Sequence, residues 1–360
     1  MHGPAQTWEP GDVLIWLVLL LPLTTPLLLV TLSRSLSMTQ APLLVLYVGL
    51  LLALAAWIGR ADGWMGLFVG WAALALLWAG TAAAIETVEF MALGAAGLLA
   101  VRALSDDRKQ AAAVLLVGMG LFQVVYGLVQ LVGLDPLWWG PYAIAAVDGV
   151  PGTLGNRGYF GWYVAMLTPL APLWALPVFL AGVLLSKSVL AVLMVTAGLA
   201  WRFRSSRRTW YALAGGAAMV GVLAAWRGDV WLAGAWARTG IWRQAAETIS
   251  GWGWLIGYGP GSWSVNIPAM ERAAGSTGPV FFHAHNDVLQ LLYEGGAVAL
   301  VLLSGWIWTH RMAFMGRYGG CWVALLVGSL GHFGFRLAVT GATALVLLGL
   351  PLAGRQTEDA

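Results

Sequence analysis

Charge is the scarcest commodity in this chain. Of 360 residues, 10% are charged and 60% are hydrophobic, where a soluble domain carries about 25% charged and about 45–50% apolar residues. The deficit runs the whole length, so no soluble domain can be delimited, and residues 1–360 read as one integral membrane unit. Cysteine is nearly absent. Cys321 stands alone in an apolar run, which excludes a disulfide framework. The short alternating segments of about 10 residues that mark a transmembrane barrel are also missing. The amino terminus lacks the basic region of a cleavable signal peptide. The net charge of +3 is too small to suggest nucleic acid.

What is abundant is long apolar runs and tryptophan, 22 in all, a residue that gathers at membrane–water interfaces. Windows of about 20 apolar residues fall at 12–32, 42–58, 64–85, 88–104, 111–133, 210–226, 288–308, 318–335 and 337–352. The stretch 159–200 is apolar but broken by Pro169, Pro172, Pro177 and Ser186-Lys187-Ser188. Arg202, Arg204, Arg207 and Arg208 form the clearest cytoplasmic cluster. Arg102, Arg108 and Lys109 form a second, and Arg311 and Arg317 a third. With all three inside, the segments 134–158 and 227–287 become outside loops, and parity requires an odd number of crossings over 159–201. Three short ones give an all-α polytopic protein of about 12 transmembrane helices. Its large outer loop lies between the spans at 210–226 and 288–308. Glu86 and Glu89 are expected in a tight outside turn, and His332 and Arg336 in the penultimate span.

The residues able to do chemistry gather at the end of the large loop. Asn286 and Asp287 suit a helix N-terminus. From there Asn286, Gln290, Tyr293 and Glu294 fall on one helix face, and a polar stripe entering a membrane helix must face protein or water. His285 precedes that helix. The positive helix end disfavours an imidazolium, so the ring is expected neutral and able to take a proton. His283 and His285 could instead hold a metal as His-x-His, with Asp287 or Glu271 completing the set. No further outside histidine or Asp-x-Asp supports that, and no metal is assigned.

Further back, 235–249 reads as an amphipathic helix with Trp236, Ile241, Trp242, Ala245, Ala246 and Ile249 on its apolar side. Arg243 and Glu247 are spaced to neutralise each other, which leaves Arg238 as the better anion ligand. Its planar fork suits a phosphate; snorkelling at the interface is the plain alternative. The run Gly251–Trp263 is too glycine-rich for a helix, and Gly259 could let backbone approach a ligand. Asn156 and Arg157, where a span begins, offer a second cationic contact. Lys187 is either a functional intramembrane charge or the turn between two proline-shortened spans.

Four stretches, in order, resemble the O-antigen ligase and polymerase superfamily of bacterial inner-membrane glycosyltransferases. They are Gly152-Thr153-Leu154-Gly155-Asn156, then Ser186-Lys187-Ser188, then Arg238 with Trp242 and the glycine run Gly257-Tyr258-Gly259-Pro260-Gly261-Ser262-Trp263. The last is His285-Asn286-Asp287-Val288-Leu289-Gln290 followed by Glu294, Gly295 and Gly296. The resemblance covers roughly residues 150 to 300. It implies about twelve helices with a large periplasmic loop, and a metal-independent, inverting glycosyl transfer without cofactor. The implied donor is a glycan on undecaprenyl diphosphate. The acceptor is a hydroxyl on lipid A core, on a growing glycan or on a protein, corresponding to ligase, polymerase and protein O-oligosaccharyltransferase members. Arg238, less surely Arg243, would hold the diphosphate, and His285 would sit at the acceptor hydroxyl. Asn286 and Glu294 would orient it. Two departures are plain: Lys187 stands where the family has an arginine, and the chain is short. A competing class is a multi-pass transporter of an anionic or lipid-linked substrate, which the broken helices at 159–200 and intramembrane Lys187 and Arg336 would also fit.

Overall fold

The computed structural model describes residues 63–79, 82–102, 104–134, 149–273, 281–336 and 338–350. The expected spans at 12–32 and 42–58, and most of the 134–158 loop, lie outside the described residues. The described chain is all-helical, with no strand among the described residues. Two helices, Asp106–Leu131 and Asp287–Thr309, are long and apolar enough to cross a membrane.

The broken stretch resolves into three short helices, Arg157–Leu167, Leu176–Leu185 and Val189–Arg202. Thr168–Leu170, a 3-10 turn with Pro169 inside, ends the first, and Pro177 lies in the first turn of the second. Both positions follow from a ring that removes a backbone donor but tolerates a helix start. Val189–Arg202 packs against Gly319–Ser329, Arg208–Thr248 and Arg157–Leu167. At the first of these contacts glycine meets glycine: a Cβ on Gly198 would stand 2.8 Å from the carbonyl oxygen of Gly320. Such small-residue seams let helices approach closely where lipid supplies no hydrophobic drive. Around them lies the main core, with Phe160, Trp162, Tyr163, Met166, Phe179 and Met194 buried.

Three expectations need correction. The turn at Glu86 and Glu89 does not form, because both lie within the helix Ala82–Arg102. Glutamate is a good helix former, and its charge alone does not end a helix. The outer loop does not begin at 227 either. One helix of 41 residues runs from Arg208 to Thr248, so the amphipathic segment continues the span rather than standing apart. Finally, His332 and Arg336 are not in a span: the helix Gly319–Ser329 ends first, and Arg336 closes the 3-10 turn Gly334–Arg336.

Candidate functional site

The site forms where the end of the 208–248 helix meets the segment 281–286. As expected, Asn286 is the N-cap of Asp287–Thr309, its Oδ1 accepting from the Leu289 N–H at 2.9 Å. His285, just before it, adopts a left-handed backbone with φ 52°. That conformation costs a non-glycine residue of order 1–3 kcal/mol and persists only where its surroundings hold it. The neighbours do so. The carbonyl of Ala284 accepts from Trp242 Nε1 at 2.5 Å, and its N–H donates to Gln290 Oε1 at 3.1 Å.

A small core of its own backs the site. Ile241, Ala245 and Ile249 line one face of the long helix and pack with Trp263, Ile267, Ala284 and Tyr293. The glycine run closes against this core. Tyr258 and Gly259 donate to the carbonyls of Tyr293 and Glu294, at 3.0 and 2.8 Å, just before the 287–309 helix kinks at Gly296 (φ 66°). A Cβ on Gly259 (φ 94°) would stand 2.3 Å from Ala79 Cβ. The close backbone approach expected of Gly259 is therefore made to helix and side chain of the protein itself, and its N–H is engaged there.

Three imidazoles converge. The His285 ring meets Phe333 edge-on, with centroids 4.6 Å apart, and lies 5.9 Å from the His332 ring. His283 stacks on Phe333 at 4.5 Å. Phe281 contacts His285, and Tyr159 contacts His332. The charge of Arg238 bears on both His285 and His332. Burial, and after it Arg238, pushes His285 down to about 4. Burial, then Arg336 and His285, takes His283 down to about 3. Both rings are thus neutral at physiological pH. This is the state expected of His285, but desolvation ranks first among its causes. Arg238 is itself partly desolvated. Among the described residues no group of three His, Cys, Asp or Glu side chains is disposed to hold a metal ion.

The remaining candidates divide. Asn156 caps Arg157–Leu167, its Oδ1 accepting from the Gly158 N–H at 2.7 Å. That helix start lies against the site, since a Cβ on Gly158 would be 3.5 Å from His332 Nε2. Lys187 occupies a left-handed turn (φ 52°) between Leu176–Leu185 and Val189–Arg202, the turn reading rather than a mid-span charge. The Val150 N–H donates to Leu185 O at 3.0 Å, and the Arg157 side chain passes beside Gly149, so the 149–157 segment rests on that turn. Arg243 points outward, bonded to Glu247 at 2.7 Å with its side chain 82% exposed. Glu294, 1% exposed, lies behind the 281–286 segment. One oxygen accepts from Gln290 Nε2 at 2.9 Å, and the other meets Arg336 Nη2 at 2.9 Å.

Arg336 also approaches Asp287 at 4.0 Å. The sequence marks Arg336 and His332, like Lys187, as functional candidates because they are polar groups in an apolar run, but nothing in it joins them to His285. The available signal was Gly331 and Gly334, which bracket His332 and Phe333 and announce a turn in an apolar run. Compared with known proteins, the chain matches no family model and no curated protein.

Proposed function

We propose that the protein is a multi-pass glycosyltransferase of the O-antigen ligase type, with about twelve membrane crossings. It would lie in a bacterial inner membrane with its site facing the periplasm. The observation that carries this reading is the Trp242–Ala284 hydrogen bond of 2.5 Å, which brings the helix bearing Arg238 against the segment bearing His285, a neutral ring on which the Arg238 charge bears. A guanidinium beside a neutral imidazole is what transfer from a lipid diphosphate to a hydroxyl requires.

In this reading Arg238 binds the diphosphate of an undecaprenyl-linked glycan. His285 takes the proton of the acceptor hydroxyl as its oxygen bonds to the anomeric carbon. The bond from that carbon to the diphosphate oxygen breaks, its electron pair leaves with the diphosphate, and Arg238 stabilises the growing charge. Attack opposite the leaving group inverts the anomeric centre. The bound diphosphate also offsets the positive charge that holds His285 down, so the base strengthens when donor is present.

The test is transfer of a labelled lipid-linked glycan by the purified full-length protein in lipid nanodiscs. Wild-type protein should form product with chelator present. Arg238→Ala and His285→Ala should each abolish product at unchanged protein level. Wild-type transfer by His285→Ala would overturn the base assignment. Uptake into vesicles without covalent change would favour a transporter. The chemical nature of the glycosylated product separates ligase, polymerase and protein-glycosylating activity.

A further inference from the structure

The two halves of the site are joined by a series of hydrogen bonds that ends on an ion pair. Trp242 lies one turn beyond Arg238 on the long helix. Its Nε1 donates to the Ala284 carbonyl at 2.5 Å. On the other side of the same residue, the Ala284 N–H donates to Gln290 Oε1. Gln290 Nε2 donates to Glu294 Oε1, and Glu294 Oε2 meets Arg336 Nη2, both at 2.9 Å. Ala284, Gln290 and Glu294 are 2%, 1% and 1% exposed. Water therefore does not compete for these bonds, and each is stronger than at a surface. Ala284 is flanked by His283 and by the left-handed His285.

We propose that Trp242, Gln290, Glu294 and Arg336 form a strut that clamps Ala284 and thereby sets the position of His285 relative to Arg238. They are positioning residues that touch neither donor nor acceptor. This rests on the reading of Arg238 and His285 as the diphosphate ligand and the base. Glu294 accordingly serves the site from behind, through Gln290, and not by contact with substrate. The strut also explains how an unfavourable backbone at His285 is kept, since the residue before it is held at both its carbonyl and its N–H. Arg336 is suited to the far end because its guanidinium supplies several donors, one set to Glu294 and another towards Asp287.

Trp242→Phe tests the strut, because it keeps an aromatic ring and removes only the indole N–H. Transfer should fall by about 10- to 100-fold in kcat, the penalty expected when a base is misplaced by a fraction of an ångström to about one ångström. KM for the lipid-linked donor should stay within about twofold, since Arg238 is untouched. A readout insensitive to general loosening is the acid limb of the pH profile. His285 faces Arg238, His332, His283, Phe281 and Phe333. Drawing it away from Arg238 relieves repulsion, so the acid limb should move to higher pH. Gln290→Met should reproduce both effects, and the double variant should be no worse than the poorer single variant. Wild-type kcat and an unmoved acid limb in Trp242→Phe would overturn the strut. So would a fully additive double variant. If His285→Ala retained transfer, the underlying reading would fail instead, whatever Trp242→Phe did.

Discussion

Two of the hydrophobic cores among the described residues differ in what their polar bonds hold. The large one, around Phe160, Trp162, Tyr163, Phe179 and Met194, is made of apolar side chains on short helices fitted against glycines. The small one, around Ile241, Ala245, Ile249, Trp263, Ala284 and Tyr293, is sewn to its surroundings by polar bonds between distant segments. Apolar packing is non-directional and forgives modest rearrangement. Hydrogen bonds are directional and fix orientation. Such bonds also brace the large core, where Gln123 Nε2 donates to Thr153 Oγ1 at 2.6 Å and Gln130 Nε2 to Gly152 O at 3.1 Å, but beside the small core they act on the segment that carries His285.

The contrast can be broken from either side. Trp162 is 1% exposed, and Gly328 and Gly334 close on its indole. Trp162→Ala should cost about 3–5 kcal/mol of stability, read as a fall in thermal unfolding temperature in detergent. Arg336→Met should cost a similar amount, about 3–5 kcal/mol, because it leaves Glu294 buried without its cation. The two should differ in function: at a temperature where both variants are folded, Trp162→Ala keeps transfer and Arg336→Met loses it. Gly259→Ala ranks next at about 1–3 kcal/mol, since its Cβ would collide with Ala79 at a positive φ.

Acidification sharpens the comparison further. His285 falls from the ordinary value of 6.5 to about 4, and His283 to about 3. Below 6.5 the unfolded chain therefore binds more protons than the folded one, and stability contributed by the small core is lost as pH falls. It is fully present above 6.5. Proteolysis at the 281–286 segment should accordingly become faster between pH 6.5 and pH 4, while cleavage within 157–202 does not. The smallest effect is expected from Arg243→Ala. Its ion pair with Glu247 is exposed and screened by solvent, so thermal stability should be unchanged and transfer should fall far less than in Arg238→Ala.

These same residues show what could be read without coordinates. The Asn286 cap, the Ile241/Ala245/Ile249 face and the Arg243–Glu247 pair were legible because each is set within two or three turns of helix. The bonds from Trp242 to Ala284 and from Arg336 to Glu294 were not, because no period or spacing encodes a partner forty residues or more away. Arg227-Gly228-Asp229 read as the start of a loop by its polarity. A single glycine costs a helix only about 1 kcal/mol, and the 208–248 helix runs through it. The polar dipeptide Glu86-Thr87 misled for the opposite reason: polarity alone does not stop a helix that has no glycine or proline at that point.

That uninterrupted helix also acts as a ruler. Arg208 and Arg238 are thirty residues apart, about 45 Å along the axis at 1.5 Å per residue, whereas the hydrocarbon layer is about 30 Å thick. In the proposed reading, with Arg208 at one edge of the hydrocarbon and residues 210–226 inside it, Arg238 would stand up to about 15 Å beyond the opposite edge. The proposed chemistry between Arg238 and His285 would then take place on the water side of the headgroups, within reach of acceptors arriving from water. The proposed lipid donor would need to raise its head to that level while its tail stays in the membrane.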